Sequence, residues 1–129
     1  MRAAEPPLPA GVEVTVTEAL AAIEQRQLSQ PQLLQIIAAA EQLAVPLTAG
    51  HAGSLWGFFF TPGPVRNFAD ARRADTALFA RFHRAARQRG VLLPPSAFEA
   101  CFVSAAHTDE IIAQTLERLA DALAHAVRG

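Results

Sequence analysis

The sequence contains no lysine: all eleven of its Lys+Arg positions are arginine. No side-chain amine is therefore available to condense with a carbonyl substrate or an aldehyde cofactor. Tyrosine is absent as well, so no phenol can act as acid or base. Cys101 is the single cysteine, which rules out an intrachain disulfide and any zinc site with two or more cysteine ligands. A reducing, cytoplasmic setting is the expectation that follows. No apolar run approaches the length needed to span a bilayer; Leu55 to Phe60 is far too short. Met1 to Pro7 lacks the continuous apolar stretch of a secretory signal. A soluble protein without a membrane partner is expected.

What is present suffices for a core. Of 129 residues, 51% are hydrophobic and 18% charged, a composition that folds. The formal charge of -1 gives no bulk attraction for nucleic acid or anionic lipid. Pro6, Pro7, Pro9 and Gly11 mark an irregular arm. Val12, Val14 and Val16 then alternate with polar residues at the period of a short strand, and Leu20, Ile23 and Gln27 follow at helical spacing. Ser29 with Gln32 forms a capping box around Pro31. It opens a helix through Leu43 that ends before Pro46.

Leu47–Ala49 reads as a strand, Gly50 to Gly53 as a turn and Leu55 to Phe60 as a strand buried on both faces. Asp75 to Arg89 is an amphipathic helix closed by Gly90. Val91–Leu93 and Phe102–Ser104 read as short strands. Thr108 caps a last helix whose Ile111, Ile112, Leu116, Leu119, Leu123 and Val127 form an apolar stripe. The fold class expected is α+β, a small, mostly antiparallel sheet covered by helices.

Several groupings invite a chemical reading. Residues 66–89 carry seven arginines against Asp70 and Asp75, a local charge of +5 balanced by acidic flanks. That could grip phosphates, but no aromatic platform interleaves the arginines, and no nucleic-acid partner is expected. His51, His83, His107 and His125 show no ligand spacing, so no metal is expected. Cys101 and His107 could form a nucleophile–base dyad, although Cys101 beside an apolar strand reads better as a small hydrophobe. Trp56 with Phe58, Phe59 and Phe60 reads as core rather than a ligand box. Gly50–Gly53 lacks the ending of a phosphate loop. Glu99 differs, being a carboxylate flanked by Phe98 and Ala100 in a loop stiffened by Pro94 and Pro95. It is solvated, paired or used, and a solvated loop carboxylate is the reading the residues themselves favour.

Pro95-Ser96-Ala97-Phe98-Glu99-Ala100, with Phe102-Val103-Ser104 and Ala106-His107-Thr108, resembles the C-terminal signature of glutamate-1-semialdehyde 2,1-aminomutases. Gly53-Ser54 with Gly57 to Thr61 resembles the family's strand pair. Gly63 to Phe68 with Asp70-Ala71 resembles its next loop, and Asp75-Thr76, Phe79 to Phe82 and Arg89 to Val91 its next helix. The resemblance covers about residues 43–127.

The resemblance implies the C-terminal domain of a fold-type I, PLP-dependent, class-III aminotransferase relative. Such enzymes, usually cytosolic homodimers, convert glutamate-1-semialdehyde to 5-aminolevulinate for tetrapyrrole synthesis. Residues 1–28 would be a divergent arm and 29–129 the small domain. The PLP lysine and phosphate-binding groups belong to a large domain that this segment does not resemble. No catalytic or cofactor-binding residue is therefore carried over, and no PLP is expected on this chain alone. Glu99 falls at the active-site edge, and Ser96 shares its loop by position. The implied partner is a PLP-binding large domain or a full-length aminomutase subunit, with self-association through uncovered apolar surface. A non-enzymatic interaction or regulatory module derived from that domain is the alternative. Pro94 and Cys101 depart from the family's usual alanine and glycine, and at Cys101 a side chain could crowd the active-site edge.

Overall fold

The computed structural model describes residues 30–129. The expected Val12–Val16 strand, the Glu18–Gln27 helix and the Ser29 cap lie outside these residues. The elements are α1 (Gln30–Gln42), β1 (Thr48–Ala52), β2 (Leu55–Phe59), α2 (Phe68–Ala71), α3 (Thr76–Gln88), β3 (Cys101–Phe102) and α4 (Asp109–Arg128). Among the described residues, the strands form one antiparallel sheet in the order β1-β2-β3. The α+β expectation holds.

Helix ends follow local chemistry. Asp75 accepts a hydrogen bond from Leu78 N at 2.9 Å, and Thr108 Oγ1 one from Ile111 N at 3.2 Å. Each satisfies a donor that its helix cannot. Helix α3 ends with Gly90 N bonded to Arg87 O and Val91 N to Ala86 O, Gly90 having φ +79. Helix α1 ends the same way, through Ala44 N to Glu41 O and Val45 N to Ala40 O. There the left-handed position is occupied by Ala44, at φ 55. It lacks the freedom glycine brings to such a cap.

The β1–β2 hairpin is tighter than the sequence suggests. Strand β1 runs to Ala52, pairing Gly50 with Gly57 and His51 with Trp56, so the connection is only Gly53-Ser54. Gly53 has φ +60 at the first turn position, which two-residue hairpins reserve for glycine. Pleating sends Trp56, Phe58 and, beyond the strand's end, Phe60 to one side, where all three are buried. Phe58 packs edge-on against Phe82 with ring centroids 5.7 Å apart. Leu116, Leu119 and Leu123 of α4 complete this core with Leu78, Phe79 and Ala86 of α3.

Three expectations need correction. Val91–Leu93 is not a strand: Val91 N is spent on closing α3, and Leu93 O is bonded to His83 Nε2 at 3.1 Å. The sheet is not covered on both faces, since Leu55 is 41% exposed and Phe102, its cross-strand partner, 65%. The α4 stripe is rotated, burying Ala122 and Ala126 while Ile111 and Val127 stay exposed. Helix α2, capped by Asn67 accepting from Asp70 N at 2.9 Å, was not legible in the sequence.

Candidate functional site

The outer face of the sheet carries the candidate site. Residues opposite the core side chains, Leu55, Gly57 and Phe59, line a groove of about 350 Å³ with Val65, Phe98 and Glu99. Gly50 and Gly57 are cross-strand partners, and a Cβ on either would meet nothing within 4 Å. The middle of this face is therefore bare backbone, which another surface can approach closely. Phe68 and Phe98 stack edge-on over it, with centroids 5.7 Å apart, linking α2 to the loop before β3.

That loop is folded by its own serine. Ser96 Oγ accepts from Phe98 N at 3.1 Å, and Glu99 N donates to Ser96 O at 3.3 Å. Ser96 thus shapes the turn. Glu99 is exposed, and among the described residues no hydrogen bond or ion pair holds its carboxylate. A solvated carboxylate at the margin of an apolar, backbone-bare groove is free to meet a ligand or a facing domain. The structure brings Glu99 and Phe98 to this groove together with Leu55, Phe59 and Val65, which the sequence did not mark as site residues. For Leu55 and Phe59 the signal was the alternation of β2, which sends every second residue away from Trp56 and Phe58.

Cys101 stands apart from this groove. Its cross-strand partner is Trp56, so its side chain points to the core side, where it is 7% exposed. Burial pushes its thiol from an ordinary 9.0 up to about 11, which keeps it protonated. Crowding of the Glu99 groove by Cys101 is thus not what the geometry shows. Cys101 and His107 do line one cavity of about 690 Å³ between β3 and α4. Yet His107 Nδ1 accepts from Ser104 N at 2.9 Å, and a protonated thiol is a poor nucleophile. The structure therefore shows no nucleophile–base dyad. Among the described residues, no group of three His, Cys, Asp or Glu side chains could hold a metal, and no helix is long and apolar enough to cross a membrane.

No family model matches the chain. A glutamate-1-semialdehyde 2,1-aminomutase of Gemmatimonas aurantiaca is 57% identical over 88 residues, covering 68% of this chain and 20% of the relative. One from Roseiflexus castenholzii is 46% identical over 85 residues, 66% of this chain and 20% of that protein. Over these residues the chain is similar to the glutamate-1-semialdehyde 2,1-aminomutases. It spans about a fifth of the length of the curated aminomutases that it matches. Solved structures agree on the fold. The glutamate-1-semialdehyde aminomutase of Pseudomonas aeruginosa superposes with a TM-score of 0.70 at 24% identity, over 89% of this chain and 25% of that one. An omega-transaminase of Sphaerobacter thermophilus superposes at 0.61 and 19% identity, over 86% and 24%. A variant of the Pseudomonas aminomutase in complex with PMP superposes at 0.69 and 24% identity, over 88% and 24%.

Proposed function

We propose that this chain supplies the C-terminal small domain of a glutamate-1-semialdehyde aminomutase, working in the cytoplasm with a PLP-binding large domain, and that residues 1–28 form an arm outside the small domain. The observation that carries the proposal is the outer sheet face, apolar and bare at its centre with the free carboxylate of Glu99 at its margin. Such a face is costly to leave in water and well shaped to receive another surface. Docking there sets Glu99 at the edge of the active site of the completed enzyme. The residues around Glu99 do not fit PLP itself: no cationic side chain lines the groove to hold a phosphate, and the sequence has no lysine to bond the aldehyde. PLP and the bond-making steps therefore belong to the large domain. This chain contributes a wall that excludes water and a carboxylate at its rim.

Two experiments test this reading. The purified chain, supplied with PLP and glutamate-1-semialdehyde, is expected to form no 5-aminolevulinate, and robust formation would overturn the proposal. In the absence of a large domain, the same face is expected to pair two copies of the chain at high concentration. Sedimentation should show that association, with Phe98→Asp abolishing it; a strictly monomeric wild-type chain would remove the docking role of the face.

A further inference from the structure

Two of the seven arginines of residues 66–89 line a cleft that shares no residue with the Glu99 groove. Arg81 and Arg84 of α3 face His125 and Arg128 of α4 across a cleft of about 300 Å³ floored by the buried Ala85 and Ala126. Arg81 is anchored by its Nε, which donates to Ala126 O at 3.2 Å, and among the described residues no hydrogen bond engages its terminal nitrogens. Arg84 and Arg128 are exposed and, among the described residues, take part in no ion pair or hydrogen bond. Asp121 of α4 is engaged by Arg89, whose Nε donates to its Oδ2 at 2.7 Å and holds its carboxyl below the usual carboxylate range, with Arg128 and His125 adding less.

The helix dipole accounts for His125 and Arg128, which lie in the last turn of α4. It does not account for Arg81 and Arg84, which repel each other one turn apart and approach further cations from the facing helix. Convergent guanidinium groups over a small-residue floor match a tetrahedral oxyanion, each fork able to donate two parallel bonds. The cleft lies at the small end of ligand-sized sites, and no Phe or Trp ring lines it to stack a nucleobase. We propose that the α3–α4 cleft is a binding site for a small, multiply charged phosphate anion.

Tripolyphosphate titrated into the isotopically labelled full chain at about 0.15 M salt, where long-range attraction is screened, provides the test, with chloride at equal ionic strength as control. Saturable shifts of backbone amide resonances confined to the cleft residues are expected. Arg84→Gln combined with Arg128→Gln should weaken binding at least about tenfold, the loss of one charge-assisted bond, while Arg72→Gln leaves it unchanged. Both exchanges are at exposed helix positions that tolerate glutamine. No saturable shift in the wild type, equal shifts with chloride, or undiminished binding by the double variant would each overturn the proposal.

Discussion

Gly63→Ala should destabilise the chain through a single side-chain collision. Thr48 Oγ1 donates to Thr61 O at 2.9 Å and accepts from Gly63 N at 2.8 Å, tying the loop after β2 back onto the edge strand β1. A Cβ on residue 63 would run into that oxygen and come within 2.9 Å of Thr48 Cγ2. The hydroxyl cannot swing away without giving up both bonds, each worth about 1 kcal/mol net. Overpacking of this kind costs roughly 1–3 kcal/mol, so a total near 2 kcal/mol is expected. Urea unfolding followed by circular dichroism gives the value. Thr48→Ala removes the two nearest atoms and leaves only Cβ, at 3.1 Å, so in that background Gly63→Ala should cost about 1 kcal/mol less, a coupling that a double-mutant cycle measures. A cost for Gly63→Ala that is the same in both backgrounds would refute the reasoning.

The two matched helix ends predict opposite responses. Ala44→Gly should stabilise the chain by about 0.5–1 kcal/mol and Gly90→Ala should destabilise it by about 1 kcal/mol, both read from urea midpoints. At residue 90 a new Cβ meets only Arg118 Nη1, at 3.4 Å, so the backbone sets that cost. Native Cys101 should react with iodoacetamide at pH 8 about a hundredfold more slowly than the unfolded chain, because a shift from 9.0 to about 11 removes that much thiolate. Since burial raises this pKa, its stabilising contribution is fully present below pH 9 and is lost as the pH rises through about 11. Equal alkylation rates before and after denaturation would contradict the buried, protonated thiol.

The helices were legible where the sequence states both the apolar period and the stop. Asp75, Gly90 and Thr108 sit at the element ends their chemistry prescribes. Pro46 marked the end of α1 to within a residue, but the left-handed cap at Ala44 was hidden because nothing in an alanine announces that backbone. Val91–Leu93 has the composition of a strand, but hydrogen bonds made at a distance decide that segment: Val91 N closes a helix and Leu93 O meets His83. At the site, Glu99 and the aminomutase resemblance were readable from the loop residues. The groove itself was not, because it depends on which face of β2 the helices leave uncovered. The alternation of Trp56 and Phe58 with Leu55, Gly57 and Phe59 permits either cover. The helical core, centred on Phe79, Phe82 and Leu119, settles the choice.

The most direct test of the account is reconstitution. An aminomutase large domain that lacks its own C-terminal segment is mixed with this chain, PLP and glutamate-1-semialdehyde, and 5-aminolevulinate is measured. The account predicts product from the mixture, none from either component alone, and loss of the rescue with Phe98→Asp, which puts a charge into the docking face. Turnover by the chain alone, or rescue undiminished by Phe98→Asp, would contradict it.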